Sequence, residues 1–448
     1  MAEETREAGT TTSRRQFVKG AGIGIGAAIL APTGAAEAAR MVITERAAPE
    51  ANTLKIGYIS PLTGPLAGFG EPDPYIVGLA RKALAKGLTV NGKSYAVKIL
   101  TKDTQSDPAR AGQLAKGLIN GDKVDLMLTT STPETVNPVA GACEAAGVPC
   151  ISTTVPWEAW YLGLGGKFGG PKPTTFKYIF HFCFGVAEFD MAYTHLWSQI
   201  PTNKKVGVMW PNDADGNAIR GALGPQLEKA GYTIVDPGPY EDGTTDYSAQ
   251  ISKFKTEGVE IFNTFPIPPD FATFWRQAAQ QGLAQQIKIA QIAKTGLFPS
   301  QVEALGNLGY GLASAAYWGP TWPYHSSLTG LTSKQIGAGY TAATKKQYNQ
   351  QAGPSLALFD VAAAALKKSG DPKNKKKVAA AMRTLNVQTP IGLLRWGKGP
   401  VPNVVATPIP GGQWRKAKSG PFKLEWVFCE HSADPKIPLG GKLQAYSV

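Results

Sequence analysis

Short apolar, β-branched runs alternate along this chain with stretches whose apolar residues recur every three or four positions. The runs LKIGYIS (Leu54–Ser60), YAVKILT (Tyr95–Thr101), VDLMLT (Val124–Thr129) and VPCIS (Val148–Ser152) predict strands, and the segments between them predict helices. In SDPARAGQLAKGLI, Asp107 is placed to cap a helix with Pro108 in its first turn, and Ala111, Leu114, Ala115 and Leu118 share one face. Strands that are apolar at successive positions and separated by helices predict a parallel sheet covered on both sides.

A second set follows. KVGVMW (Lys205–Trp210), YTIVD (Tyr232–Asp236), VEIFNTF (Val259–Phe265) and IKIAQI (Ile287–Ile292) alternate with helical patterns over about 217–230, 247–257 and 270–281. Beyond YGLASAAYWGP (Tyr310–Pro320) come two Ala-rich helical patterns, about 335–350 and 355–368, and then DPKNKKK, where Asp371 and Pro372 mark a helix start. The tail from Thr389 is rich in Pro and Gly, with strand-like runs such as FKLEWVF. Neither a short-period repeat nor a low-complexity linker divides the two sets. The expected fold is α/β, with two doubly wound parallel-sheet lobes between which the chain crosses more than once. Lobe 1 is expected over 53–182 plus 315–385, and lobe 2 with the C-terminal tail over 183–314 plus 386–448.

The first residues change the picture of where the chain works. Arg14 and Arg15 precede Phe17, Lys19 and a Gly/Ala-rich apolar run that ends in AAEAA, the pattern of a twin-arginine signal peptide over residues 1–38. That run is interrupted by Gly22, Gly24, Gly26 and Pro32, whereas a spanning helix needs about 20 apolar residues. A soluble protein in the periplasm or outside the cell, delivered by the twin-arginine translocase, is expected. Residues 1–38 hold four basic and four acidic side chains, so the remainder keeps the whole net charge of +13. The densest basic cluster, Lys373–Lys377, reads as a solvated helix face, and nucleic acid is not an expected partner. Cys143, Cys150, Cys183 and Cys429 are too scattered for a disulfide framework; they allow one bridge, Cys143–Cys150 being the nearest pair, or four buried thiols.

LKIGYISPLTGPLAGFGE (Leu54–Glu71), DTQSDPARAGQLAKGLI (Asp103–Ile119) and GVPCIST (Gly147–Thr153), with the order of elements through RQAAQQGL (Arg276–Leu283), carry a resemblance. The chain resembles the periplasmic solute-binding proteins of ABC importers, in the leucine/isoleucine/valine-binding branch, over nearly all of Leu54 to about Gly397. The resemblance implies a type I periplasmic binding fold, two lobes joined by a three-crossing hinge. These would close on a small molecule and present it to a membrane permease, with no cofactor and no covalent chemistry.

Ligands of open parallel sheets sit outside the carboxyl ends of strands, where the next helix begins. After VDLMLT comes TSTPE, in which Ser131 or Thr132 is placed to cap a helix opened by Pro133, with free backbone N–H groups that favour an anion. The resemblance implies that this strand end and the one at Thr153 and Thr154 hold a substrate carboxylate, and that Phe69 packs on the ligand. In the second lobe, Asp215 stands before Gly216 where amino-acid binders often have an aromatic, and Ala293 and Lys294 lie near the position of the acid that receives an ammonium. An ammonium buried without that acid would be penalised by roughly 3–5 kcal/mol. A small carboxylate, aromatic or branched, is therefore the expected ligand, with Lys294 as an added donor and Asp215 able to restore a cation site. Trp157, Trp160, Tyr161, Trp210, Tyr317, Trp318, Trp322 and Tyr324 crowd the expected rim, either lining a pocket or packing within their own lobes.

Two other function classes compete. An exported enzyme finds little support, since His181, His195, His325 and His431 are widely spaced and GLGGKFGG (Gly163–Gly170) follows no strand and lacks the G-x-G-x-x-G order. A ligand-sensing module would need a separate signalling partner to carry its output.

Overall fold

Residues 52–168 and 172–448 are described by the computed structural model; the expected signal peptide, residues 1–38, lies outside them. Six strands come first: β1 (Thr53–Ser60), β2 (Leu88–Val90), β3 (Lys93–Asp103), β4 (Leu126–Thr130), β5 (Cys150–Thr153) and β6 (Ile179–Phe182). Five more follow: β7 (Lys205–Met209), β8 (Thr233–Val235), β9 (Ile261–Thr264), β10 (Ile289–Ile292) and β11 (Ala313–Ala315). The last are β12 (Asn386–Thr389), β13 (Gly392–Arg395), β14 (Val404–Val405), β15 (Gly411–Lys416) and β16 (Leu424–Phe428).

These strands make two seven-stranded sheets, ordered β14-β6-β5-β4-β1-β3-β2 and β16-β15-β11-β10-β9-β7-β8, with β12 and β13 forming a separate hairpin. The first sheet is parallel apart from β2, and the second is parallel up to β11, where β15 and β16 add an antiparallel edge. Every residue of β4, β5 and β9 is buried, because helices cover both faces and leave no solvent side on which a polar residue could alternate. The helix over Pro108–Asn120 starts as its sequence predicts: the Asp107 carboxylate accepts from the Arg110 N–H at 2.5 Å, and Ala111, Ala115 and Leu118 are buried. Among the described residues no helix is long and apolar enough to cross a membrane.

The chain passes between the lobes three times, at Cys183–Gly185, Ala316–Trp318 and Ala406–Pro410. The passages run side by side: the Thr407 N–H donates to the Cys183 carbonyl at 3.3 Å and the Ala316 N–H to the Pro410 carbonyl at 2.8 Å. The third lies later than expected. Residues 386–405 stay with the first lobe, where the β12–β13 hairpin packs on the helix Ala352–Lys368 and β14 extends the first sheet beside β6. Two helix boundaries also differ from the sequence pattern. In DPKNKKK the cap is Asn374, accepting from the Lys377 N–H at 3.1 Å, and Lys373 instead reaches Asp125 at 2.9 Å. The helix expected to run to about 350 spans Ser333–Thr344, opened by a reciprocal Thr332–Gln335 cap. All four cysteines are buried free thiols, so the allowed Cys143–Cys150 bridge is not formed, and burial first, then the neighbouring Cys143, pushes the Cys150 thiol well above its usual value.

Candidate functional site

The loops that leave the carboxyl ends of β4, β5, β9, β10 and β11 converge on a cleft between the lobes, with about 430 Å³ of space not filled by atoms, part of it open to solvent. On the first-lobe side, Ser131 and Thr132 follow β4 and Pro133 opens the helix Pro133–Ala146. Thr132 occupies the cap position, yet its hydroxyl accepts nothing from the first turn. The hydroxyls of both Ser131 and Thr132 are buried without a partner, although buried polar atoms are nearly always satisfied. Thr154 follows β5, and its hydroxyl meets Thr130 Oγ1 at 2.9 Å and the Gln351 side chain.

The second-lobe side carries charge. Asp213 caps the helix Ala214–Lys229, accepting from the Gly216 N–H at 2.5 Å, which brings Asp215 into the first turn. Lys294 follows β10, is only 5 % exposed, and places Nζ 3.2 Å from both Asp213 Oδ2 and Asp215 Oδ2. Burial pulls the Lys294 ammonium down, but the charges of Asp215, Asp213 and Glu134 together hold its pKa above the ordinary lysine value. Burial pushes Asp215 up to about 6 against the opposing charge of Lys294, with Asp213 and Glu134 adding to the rise. Asp215 Oδ1 and Glu134 Oε1 are buried and unpartnered.

The rest of the wall is largely apolar: Phe69, Phe184, Phe189, Phe265 and Tyr317 contribute rings, with Leu297 and Ile409 beside them. Phe69 comes from the first lobe and meets Phe298 of the second edge-on, with ring centroids 4.9 Å apart, so it bridges the lobes as well as facing the cleft. Three cleft residues that are not glycine have positive φ, Ser131 at 136°, Thr154 at 77° and Lys294 at 43°. Such conformations cost on the order of 1–3 kcal/mol each and persist where the surroundings over-determine them, characteristically at functional sites.

Of the residues expected from the sequence, Phe69, Ser131, Thr132, Thr154, Asp215 and Lys294 line the cleft. Thr153, Trp157 and Trp210 do not. The Thr153 hydroxyl donates to the Phe182 carbonyl at 2.8 Å, because Thr153, the last residue of β5 and one position before Thr154, is still inside the sheet. Trp157 lies against Gly185 so closely that a Cβ there would fall 2.1 Å from its indole nitrogen, and it packs edge-on against Phe168. Trp210 is a core residue of the second lobe whose indole donates to Asn263 Oδ1 at 2.9 Å. Of the other expected rim aromatics, Trp160 stacks on His181 with centroids 4.9 Å apart, and Trp318 and Trp322 belong to the first-lobe core; Tyr317 alone of that group lines the cleft. Lys294, expected to face a ligand as a donor, is shared between two carboxylates. The rings at Phe184, Phe189 and Phe265 were missed because each follows or flanks an apolar run and reads there as core. Asp213 had a signal, its place just before a helix start, but the helix pattern begins visibly only near 217.

Residues 53–402 match the family described as periplasmic binding protein. A leucine-, isoleucine-, valine-, threonine- and alanine-binding protein of Pseudomonas aeruginosa is 24% identical over 77% of this chain and 86% of its own length. Against three other curated relatives the chain spans only 47%, 63% and 58% of their lengths. Among solved structures, an ABC transporter solute-binding protein of Rhodopseudomonas palustris in complex with 4-hydroxybenzoate aligns with a TM-score of 0.70 at 19% identity, covering 86% of this chain and 98% of that one. A leucine-binding protein of Thermotoga maritima aligns at 0.67 and 19%, covering 86% and 99%. These likenesses show the fold.

Proposed function

Because the chain belongs to the periplasmic binding protein family, we propose that it captures a small carboxylate with an aromatic or branched body between its lobes and hands it to the permease of an ABC importer. The observation that carries this reading is the pair of partnerless hydroxyls, Ser131 and Thr132, at the uncapped start of a fourteen-residue helix, facing a wall of rings. A carboxylate there would accept from both hydroxyls and from the Glu134 N–H of the first helical turn, Pro133 having none and Thr135 donating to the Thr132 carbonyl, and the helix dipole favours negative charge. An aromatic body would lie among Phe69, Phe184, Phe189, Phe265 and Tyr317. On the second-lobe side, the open Asp215 Oδ1 suits a ligand hydroxyl that donates. The Rhodopseudomonas palustris protein's 4-hydroxybenzoate has these three parts, an acid, a ring and a donor.

Capture by hinge closure needs no covalent step and no cofactor. Export of residues 1–38 through the twin-arginine translocase, a soluble life in the periplasm or outside the cell, and delivery to a permease belong to the same proposal. A sensing role would use the same binding step with a separate signalling partner. One observation favours a second ligand reading: Asp215 Oδ1 also suits an ammonium, and the Pseudomonas aeruginosa relative is named for amino acids.

Calorimetry on matched pairs separates the two readings, using phenylalanine against 3-phenylpropanoate, leucine against 4-methylpentanoate, and 4-hydroxybenzoate alongside. The acids are expected to bind more tightly. An amino acid that binds better than its acid by about tenfold or more gives Asp215 the ammonium and removes this ligand class.

A further inference from the structure

The first lobe holds a second crevice, which shares no residue with the wall of the cleft. It lies between the helix Asp73–Ala83 and the strands β1 and β3, with about 500 Å³ of space not filled by atoms, part of it open to solvent. Asp73, Val77 and Arg81 follow one another at four-residue steps along that helix and so share one face. Tyr58 and Ser60 of β1 and Lys102 of β3 stand across from them. Among the described residues β2 pairs with β3 only over Lys93–Tyr95, so Lys102 stands on a stretch of β3 that no further strand covers.

The floor of the crevice is buried and acidic. Asp73 is only 2 % exposed; its Oδ1 accepts from the Ser355 hydroxyl at 2.8 Å, and its Oδ2 is buried without a hydrogen-bond partner. The Tyr58 hydroxyl beside it gives its own proton to Ser355 at 3.2 Å. Burial pushes the Asp73 carboxyl up to about 6, against the nearby hydroxyls of Ser60, Tyr58 and Ser355, so the group is largely charged at neutral pH. An ionised carboxylate only accepts, and most of this one's capacity is unused. The mouth is basic. Arg81 and Lys102 are both exposed, and among the described residues neither has an acid for a partner. Arg81 donates from Nη2 to the Ile99 carbonyl at 3.1 Å and keeps the rest of its fork.

We propose that this crevice is a second binding site, for a small amino acid with an additional carboxylate, its ammonium on Asp73 Oδ2 and its two acid groups on Arg81 and Lys102. One negative and two positive side chains line the crevice, and such a molecule answers each of them. A bare cation would meet the repulsion of Arg81 and Lys102, and a plain dicarboxylate would leave Asp73 without a donor. Asp73 and Arg81 are about 12 Å apart along the helix axis, and an arginine side chain leaning back toward the helix start shortens that gap to the length of a small molecule. Val77, between them, offers apolar surface to the methylenes. The site is independent of what the cleft takes.

The test is calorimetry on the full chain with L-glutamate, with glutarate, which lacks the ammonium, and with 4-aminobutyrate, which lacks one carboxylate. L-Glutamate is expected to bind more tightly than either by about tenfold or more, the worth of a charge-assisted hydrogen bond. Arg81→Gln and Lys102→Gln, both surface changes, are each expected to weaken L-glutamate by roughly fivefold or more. Asp73→Asn, with folding checked by circular dichroism, is expected to bring L-glutamate and glutarate to similar affinity. Thr132→Ala, a change at the cleft, is expected to leave L-glutamate unaffected. A wild type that does not bind L-glutamate overturns the site. So does binding that Arg81→Gln and Lys102→Gln leave intact, and its loss in Thr132→Ala would then put the molecule in the cleft. Glutarate binding as tightly as L-glutamate to the wild type removes the role of Asp73 and the amino-acid class with it.

Discussion

Lys294 carries its positive charge into a corner that already holds Asp213, Asp215 and Glu134. With both aspartate oxygens 3.2 Å away and almost no water, the ammonium serves mainly to neutralise carboxylates that would otherwise repel one another. Lys294→Met keeps the apolar stem and removes the charge. Breaking a buried ion pair from one side typically costs about 3–5 kcal/mol, and a loss of that size in denaturant unfolding is expected. The deficit should also depend on pH. Asp215 already has a folded pKa of about 6, raised by burial, and losing the opposing Lys294 charge raises it further. A carboxyl with a raised folded pKa holds its proton more tightly folded than unfolded, so acid stabilises the variant and the deficit shrinks as pH falls, beginning above that value. A deficit that is small, or constant between neutral pH and pH 5, would mean that the aspartates rotate out to solvent.

The helix Pro133–Ala146 is the element whose start the cleft uses. A Thr at a helix cap ordinarily contributes about 1 kcal/mol through its side-chain hydrogen bond. Thr132 makes none, so Thr132→Ala is expected to leave the unfolding midpoint nearly unchanged while weakening 4-hydroxybenzoate by roughly tenfold, the usual size of one hydrogen bond to a charged group. The opposite pattern, a clear loss of stability with affinity intact, would return Thr132 to an ordinary cap. The same helix ends as its sequence demands, with Gly147 left-handed at φ 69° and its N–H satisfying carbonyls of the last turn. One end of this element therefore follows the local rules of helix termination, and the other leaves its cap hydroxyl unused.

Across the whole molecule, the lobes touch through Phe69 on Phe298 and through Glu158, whose carboxylate accepts from the Val186 N–H at 3.0 Å across the first passage. The approach is tight enough that a Cβ on Gly68 would lie 2.9 Å from the Phe298 ring. Three thin passages leave rotation of one lobe on the other as the soft motion of the fold. Shifting such an equilibrium from 99:1 open to 1:99 takes roughly 5.5 kcal/mol of differential binding. A carboxylate held by two hydroxyls and a helix N–H, with a ring buried among five others, is of the right size to supply it. Small-angle scattering is expected to show a smaller radius of gyration when 4-hydroxybenzoate is added at saturating concentration. An unchanged radius would argue against closure as the response to ligand.

Burial on both faces of a strand and the period of a helix are local properties, and they were legible along the chain: the two sheets, most helices, and the strand ends at Ser131, Thr154 and Lys294 follow from them. The third passage was misplaced because β14 is two residues long and leaves no periodic trace; only pairing with β6 assigns it to the first lobe. The cleft rings were not legible either, since a phenylalanine or tryptophan at a strand end is equally apolar in a core and at a site. Trp210 went to the core and Phe265 to the cleft through packing between distant elements. Charge pairing was the least visible of all. That Lys294 meets Asp213, 81 residues away, and that Gln351 meets Thr154, 197 away, was decided by how the lobes and helices stack, because Coulomb attraction and hydrogen bonding depend on distance in space and leave no period in the sequence.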